Sequence, residues 1–205
     1  PAGMKAAAVA VSRGHRVKLI EASSKLGGQI NLAEKLPGRS EFGGITTNLA
    51  NKLQRQNVEI KLNTKVSADF VMQEAPEVVI LATGGRSFEP LIDGRENAHV
   101  VTAWQILEGK ANVGSRVAIA DWRCDWVGLG LAELLARQGC HVRLACNGMV
   151  PGQTVNQYVR DNWLGTLHKL NVETFTHLRL HGIDSEDAYF QHTLSGEPVI
   201  LNDVD

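Results

Sequence analysis

The segment from residue 114 to residue 145 constrains the fold most, because its pattern is strand, helix and strand in immediate succession. Residues 116–120 form a short apolar run that predicts a strand. Residues 127–138 predict a helix, which Gly139 ends, and residues 141–145 predict the second strand. A strand, a crossover helix and a further strand in so few residues are typical of a β-α-β unit with parallel strands.

The first part of the chain also alternates between segments with the hydrophobic spacing of a helix and segments with that of a strand. Residues 1–13 predict a helix and residues 16–20 a strand. A second helix is expected over residues 46–56 and a second strand over residues 58–62. The continuous apolar run at residues 78–82 predicts a strand that is buried on both faces.

The last part of the chain continues the parallel pattern and then changes. Residues 155–170 predict a helix and residues 172–176 a strand. Beyond Leu180 the chain is polar, with a hairpin expected over residues 189–201. The whole chain is therefore predicted to be α/β, with parallel sheets and crossover helices.

Composition excludes several classes of partner. The chain has 43% hydrophobic residues and a formal net charge of −1, so no strong field would attract nucleic acid or an anionic membrane. Neither a membrane-spanning apolar run of about 20 residues nor a signal peptide is present, which predicts a cytoplasmic location. The three cysteines lack paired spacing, so we expect neither a metal site nor a disulfide framework.

The start of the chain carries a binding pattern. Gly3 stands where a helix begins, Gly14 follows that helix, and Glu21 ends the next strand. A glycine at a helix start lets backbone amides approach a pyrophosphate, and an acid about 20 residues further on accepts ribose hydroxyls. Glu21 would also repel a 2′-phosphate. Because only half of the glycine motif is present, a chance combination of glycine and acid is an open alternative.

Three longer segments extend this pattern. Residues 21–29 (EASSKLGGQ), 36–39 (LPGR) and 81–85 (LATGG) resemble successive FAD-type segments of flavoproteins with two dinucleotide-binding domains. The chain resembles more closely the C-terminal half of the trimethylamine, dimethylamine and histamine dehydrogenase and 2,4-dienoyl-CoA reductase family, which are NADH:flavin oxidoreductases. Residues 121–130 (DWRCDWVGLG) resemble the members that demethylate N-methylated amino acids and betaines.

This resemblance implies a particular fold. It implies two Rossmann-like dinucleotide-binding domains of the FAD/NAD(P)-binding type, with three layers around a parallel sheet. Residues 1–88 would form an FAD- or ADP-binding-like domain that lacks its first strand, and residues 89–205 an NAD-binding-like domain. The family also has an N-terminal β/α barrel with FMN and an iron-sulfur cluster, which would be the partner of this region in a longer protein. Formation of a homo-oligomer is left open.

The resemblance also assigns binding residues, while catalytic and metal-binding residues are expected to be absent from the chain. The residues expected to bind FAD or ADP are Ala2, Gly3, Glu21, Ala22, Gly28, Gln29, Arg39, Val66, Ala82, Thr83 and Gly84. Among these, Ala2 and Gly3 would contact phosphate and Glu21 the ribose. Val66 would contact the adenine through its backbone, and the turn at residues 83–84 would cover the pyrophosphate.

The second half departs from the nucleotide-binding pattern. Where an NAD site would have G-x-G-x-x-G, residues 123–128 read RCDWVG, so Asp125 places a carboxylate where a pyrophosphate would lie. Arg123 and Trp126 add bulk, and the strand that ends near Ala145 has no acid for a ribose. We therefore predict that this half binds neither NAD nor NADP. An ion pair between Arg123 and Asp125 that fills the site is one interpretation, and an altered ligand or domain contact is another.

The function expected from the sequence is that of a nucleotide-binding part of a flavin-dependent oxidoreductase acting on small amines or N-methylated compounds. Two alternatives are left open. The region could be a non-catalytic structural module that holds ADP, or it could belong to an NAD(P)H-dependent flavin reductase such as dienoyl-CoA reductase.

Overall fold

The chain folds into two compact units, residues 1–86 (unit 1) and residues 87–205 (unit 2). The computed structural model describes residues 1–205 apart from the side chain of Asn97. The boundary expected from the sequence, between residues 88 and 89, lies two residues later. No helix of the described part of the chain is long and apolar enough to cross a membrane.

Unit 1 is built on a two-stranded parallel sheet. Its helices are α1 (Ala2–Ser12), α2 (Ile30–Ala33), α3 (Gly43–Arg55) and α4 (Ala68–Glu74), and its strands are β1 (Lys18–Ile20) and β2 (Glu59–Lys61). A 3₁₀ turn at Ser40–Phe42 precedes α3. Leu19 of β1 lies opposite Ile60 of β2. The strands and helices predicted over residues 1–62 are confirmed within three residues at each end.

The core of unit 1 follows from the spacing of small and apolar residues. Met4, Ala7 and Ala8 of α1 are buried at helical intervals and pack with Leu53 of α3. Gly14 follows the C-terminal end of α1. Its φ of 89° is a left-handed conformation that glycine adopts without strain. These contacts join α1 to α3.

The apolar run at residues 78–82 differs from its prediction. The sequence predicted a strand buried on both faces, but the structure assigns this segment to no strand, and Leu81 is 84% exposed. An apolar segment can be buried in a sheet only if a neighbouring strand forms hydrogen bonds with it. No strand among the described residues pairs with this segment, so the prediction was wrong.

Unit 2 consists of three layers. Its helices are α5 (Ala103–Glu108), α6 (Trp126–Arg137) and α7 (Gln157–Lys169), and its strands are β3 (Arg116–Asp121), β4 (His141–Cys146), β5 (Glu173–Phe175), β6 (Leu178–Ile183), β7 (Ala188–His192) and β8 (Pro198–Leu201). A 3₁₀ turn lies at Arg95–Asn97. β3, β4 and β5 form a parallel sheet in that order, and β6, β7 and β8 form an antiparallel sheet.

The parallel sheet of unit 2 uses its two faces differently. Val117 and Ile119 of β3 share a buried cluster with Leu129 and Leu135 of α6, whereas Ala118 packs with the cluster of the antiparallel sheet. Truncating such a fully buried leucine to alanine would cost about 2–5 kcal/mol. The predicted β-α-β unit and the hairpin are confirmed. β6 was not predicted, because its register shift between Leu180 and Gly182 interrupts the alternation.

Candidate functional site

The first turn of α1 lacks a side-chain cap. Pro1 occupies the capping position, no side chain accepts a hydrogen bond there, and no acidic residue lies in the first turn. The first amide groups of a helix have no partner inside the helix and carry the positive end of its dipole. A shallow, open depression lies beside this turn. Its lining residues are Pro1, Ala2, Lys5, Ile45, Asn48 and Leu49.

Gly3 brings the start of α1 against the segment that follows the exposed apolar run. A Cβ atom on Gly3 would lie 3.2 Å from the Cβ of Ala82 and 3.6 Å from the Cδ1 of Leu19. Residues 82–84, which are exposed, therefore pass close to the first turn of α1. The structure thus brings together Ala2, Gly3, Ala82, Thr83 and Gly84.

Glu21 lies directly after β1 and is fixed through its backbone. Its N–H donates to the carbonyl of Lys61 at 2.8 Å, and its carbonyl accepts from the N–H of Thr64 at 3.0 Å. Its side-chain Oε1 accepts from the N–H and the hydroxyl of Ser23, both at 2.9 Å. Val66, two residues after Thr64, is 42% exposed. Glu21 and Thr64 therefore lie at the carboxyl ends of β1 and β2, and Ala22 after Glu21 is exposed.

The loop between β1 and α2 depends on glycine. Gly27 is buried with a φ of 114°, and a Cβ there would lie 2.6 Å from Oδ1 of Asn31. Gly28 has a φ of 53° with open space around it. The Nε2 of Gln29 would lie 3.5 Å from a Cβ on Gly84, so this loop contacts the 83–84 turn.

Arg39 lies apart from these residues in the chain. It follows α2 and directly precedes the 3₁₀ turn, with its guanidinium carbon 5.9 Å from the centroid of the Phe42 ring. Its expected contact with a nucleotide stays a prediction.

The corresponding helix start in unit 2 is closed by its own side chains. Asp125 caps α6, with Oδ1 accepting from the N–H of Val127 at 2.9 Å. The Nε of Arg123 lies 2.9 Å from Oδ2 of the same carboxylate, so the predicted ion pair is confirmed. The carboxylate of Asp125 thus occupies the position at the helix start that an anionic ligand would use.

Asp121, at the end of β3, is buried beneath this loop. Its Oδ1 accepts from the amides of Arg123 at 3.0 Å and Cys124 at 2.9 Å, while its Oδ2 is buried with no hydrogen-bond partner among the described residues. Burial raises the pKa of this carboxyl, although the two amide hydrogen bonds act in the opposite direction. A Cβ on Gly128 would lie 2.3 Å from Oδ2, so only glycine fits there.

The cysteines of unit 2 are free thiols. Cys124 and Cys146 are buried near the ends of β3 and β4, and Cys140 is half-buried. The Sγ of Cys124 donates to Oδ1 of Asn147 at 3.2 Å. Burial raises the pKa of Cys146 to about 12, so this thiol stays protonated and unreactive at neutral pH. Among the described residues no group of three or more His, Cys, Asp or Glu side chains could hold a metal ion.

Comparison with known proteins identifies relatives over nearly the whole chain. A profile of the family described as pyridine nucleotide-disulphide oxidoreductase matches residues 1–204. N,N-dimethylglycine/sarcosine dehydrogenase of Chromohalobacter salexigens is 35% identical over 203 residues, which are 96% of this chain and 29% of that protein. Dimethylamine dehydrogenase of Hyphomicrobium sp. is 33% identical over 162 residues, which are 71% of this chain and 22% of that protein.

A solved structure has the same fold. The structure of a 2-naphthoyl-CoA reductase in complex with 2-naphthoyl-CoA superimposes with a TM-score of 0.88 at 28% identity, covering 99% of this chain and 30% of that one. The chain therefore spans less than a third of the length of these three proteins. The matches confirm the resemblance to the amine dehydrogenase and reductase family and the FAD/NAD-binding, Rossmann-like fold.

Proposed function

Because the chain belongs to the pyridine nucleotide-disulphide oxidoreductase family, we propose that unit 1 binds the adenosine diphosphate part of FAD, or ADP itself. The observation that carries this proposal is the uncapped first turn of α1, which leaves amide groups free for a pyrophosphate. Gly3 supports it, since a side chain at that position would crowd Ala82 where the phosphates need close backbone approach.

Glu21 supplies the contact to the sugar in this proposal. It directly follows β1, the strand after α1, where a carboxylate accepts hydrogen bonds from ribose hydroxyls. Its Oε1 is engaged by Ser23, and no partner of Oε2 lies in the described part of the chain. The same negative charge would repel a 2′-phosphate, which favours FAD, ADP or NAD over NADP.

For the whole protein we propose an oxidoreductase that oxidises or demethylates a small amine or an N-methylated compound. The names of the dimethylglycine/sarcosine and dimethylamine dehydrogenases support this substrate class. An N-terminal β/α barrel with FMN and an iron-sulfur cluster would perform the oxidation in the cytoplasm, and the present chain would be its nucleotide-binding partner. The described chain contributes no catalytic group to this proposal.

A reductase that takes electrons from a pyridine nucleotide is the second candidate, because a 2-naphthoyl-CoA reductase has the same fold. The closed start of α6 argues against a nucleotide in unit 2, since the carboxylate of Asp125 would repel a pyrophosphate. A third candidate is a module in which bound ADP has only a structural role.

Mass spectrometry of compounds released from the purified, acid-precipitated protein tests the proposal. We expect ADP or FAD close to one per chain in the wild type and strong loss in Glu21→Ala. Glu77→Ala is the matched control, because it removes an exposed carboxylate of unit 1 that forms no hydrogen bond or ion pair in the described part of the chain. Protein that releases neither compound, and that takes up neither in calorimetry, would contradict the proposal.

The released compound also separates the three candidates. FAD together with FMN would support electron transfer through this region, whereas FMN with ADP would support the structural role. Quenching of tryptophan fluorescence by NADH would favour the pyridine-nucleotide reductase.

A further inference from the structure

The two carboxylate oxygens of Glu21 have different surroundings. Oε1 accepts two hydrogen bonds at 2.9 Å, one from the N–H and one from the hydroxyl of Ser23. For Oε2 no partner lies among the described residues, and the side chain is half-exposed. The carboxylate is therefore held on one side and open on the other.

Ser23 is itself fixed at two points. Its carbonyl accepts from the N–H of Asn63 at 2.9 Å, which ties it to the segment that follows β2. Its hydroxyl lies 2.8 Å from the carbonyl of Lys25 as well as 2.9 Å from Oε1 of Glu21. An ionised carboxylate only accepts hydrogen bonds, so the hydroxyl proton is shared between these two acceptors.

This arrangement reduces the freedom of a flexible side chain. Immobilising a glutamate side chain costs up to about 2 kcal/mol of rotamer entropy. Where the protein has already oriented the side chain before the ligand arrives, less of that cost falls on binding. Ser23 does this for Glu21 with both its backbone and its side chain.

We propose that Ser23 is a positioning residue, which orients Glu21 so that Oε2 faces the ribose hydroxyls of the bound nucleotide. This inference rests on the proposed function of unit 1 and adds a residue that the sequence pattern does not assign. Ser23 itself would not touch the nucleotide in this scheme. Its effect is limited to the hydroxyl contacts of the sugar.

Calorimetry with two nucleotides tests this role in the purified protein. ADP carries both ribose hydroxyls, and 2′,3′-dideoxy-ADP carries neither, so the ratio of their affinities reports the contact with Glu21. A charge-assisted hydrogen bond predicts a ratio of about tenfold or more in the wild type. Ser23→Ala is expected to lower the ratio to about threefold, because one of the two bonds that orient Glu21 is lost.

Two control variants make the test specific. Ser23→Thr retains the hydroxyl and is expected to keep the wild-type ratio. Ser24→Ala removes the adjacent exposed hydroxyl, which forms no hydrogen bond among the described residues, and should leave the ratio unchanged. A general loss of the site would weaken both nucleotides equally and would not alter the ratio.

The outcomes separate the inference from the proposed function. If the wild type binds neither nucleotide, the proposed function fails and the inference falls with it. If the wild type prefers ADP and Ser23→Ala shows the same preference, the role of Ser23 is overturned while the proposed function stands. A reduced ratio in Ser23→Ala that Ser23→Thr restores would support both.

Discussion

The starts of α1 and α6 occupy equivalent places in their units, yet their polar groups are arranged in opposite ways. α1 begins without a side-chain cap, and the half-exposed Glu21 directly follows β1, the next strand. α6 begins with Asp125, whose carboxylate is bound by Val127 and Arg123. The strand after α6 ends in the buried Cys146.

The difference predicts that a helix and a parallel strand do not by themselves make a nucleotide site. In unit 2 Asp121 and Asp125 satisfy the amides of the loop before any ligand arrives, and Asn147 accepts a bond from the thiol of Cys124. In unit 1 no side chain caps the start of α1. We therefore expect nucleotide binding to depend on whether side chains of the chain itself occupy the helix start.

Copying the cap of α6 onto α1 should have the largest effect. In Pro1→Asp a carboxylate would stand where we place the phosphates, and we expect ADP affinity to fall about 100-fold through charge repulsion and competition for the amides. Pro1→Asn, which can cap without a charge, should lose much less. Calorimetry with ADP measures both affinities. Equal affinities of Pro1→Asp and the wild type would show that the phosphate does not bind at the start of α1.

Adding one methyl group to the first turn of each helix sharpens the comparison. Gly128→Ala should lower the free energy of unfolding by about 2 kcal/mol, because its Cβ would lie 2.3 Å from the buried Oδ2 of Asp121. Gly3→Ala should cost less, since its nearest neighbour would be the Cβ of Ala82 at 3.2 Å. Urea unfolding measures both variants. A loss in Gly3→Ala as large as that in Gly128→Ala would show that the two turns are equally crowded.

The buried carboxyl of unit 2 should make the free energy of unfolding depend on pH. Since the pKa of Asp121 is raised in the folded chain, its protonated form favours folding, and this contribution is lost as pH rises through the folded pKa. Asp121→Asn should remove that dependence, which for one proton is at most about 1.4 kcal/mol per pH unit. Urea unfolding of both proteins from acid to neutral pH measures the difference. Parallel pH profiles would contradict a raised pKa at Asp121.

Local signals predicted the elements whose partners lie nearby in sequence. In the β-α-β unit of residues 114–146, Gly139 follows the helix and the two strands pair with each other. The local sequence pattern is therefore sufficient to predict this unit. The run at residues 78–82 was misjudged because strand formation needs a neighbour that its own sequence does not specify. β6 was missed because a register shift near Gly182 hides its alternation.

The candidate site was only partly readable from the sequence. The spacing of Gly3 and Glu21 carries a physical reason, and so does the replacement of glycine by Asp125. The role of Ser23 could not be predicted from spacing, because it depends on a carboxylate turning back to an amide and a hydroxyl two residues on. Arg39 shows the converse, since its motif position alone does not establish a contact with a ligand.

The burial of two of the three thiols has a practical consequence for spectroscopy. Cys124 and Cys146 are inaccessible, and the raised pKa of Cys146 leaves almost no thiolate at neutral pH. Cys140, which precedes β4 and is half-exposed, is then the thiol that a maleimide dye reaches first. A fluorophore placed there would lie at the end of the parallel sheet away from the Asp125 loop, without an engineered cysteine.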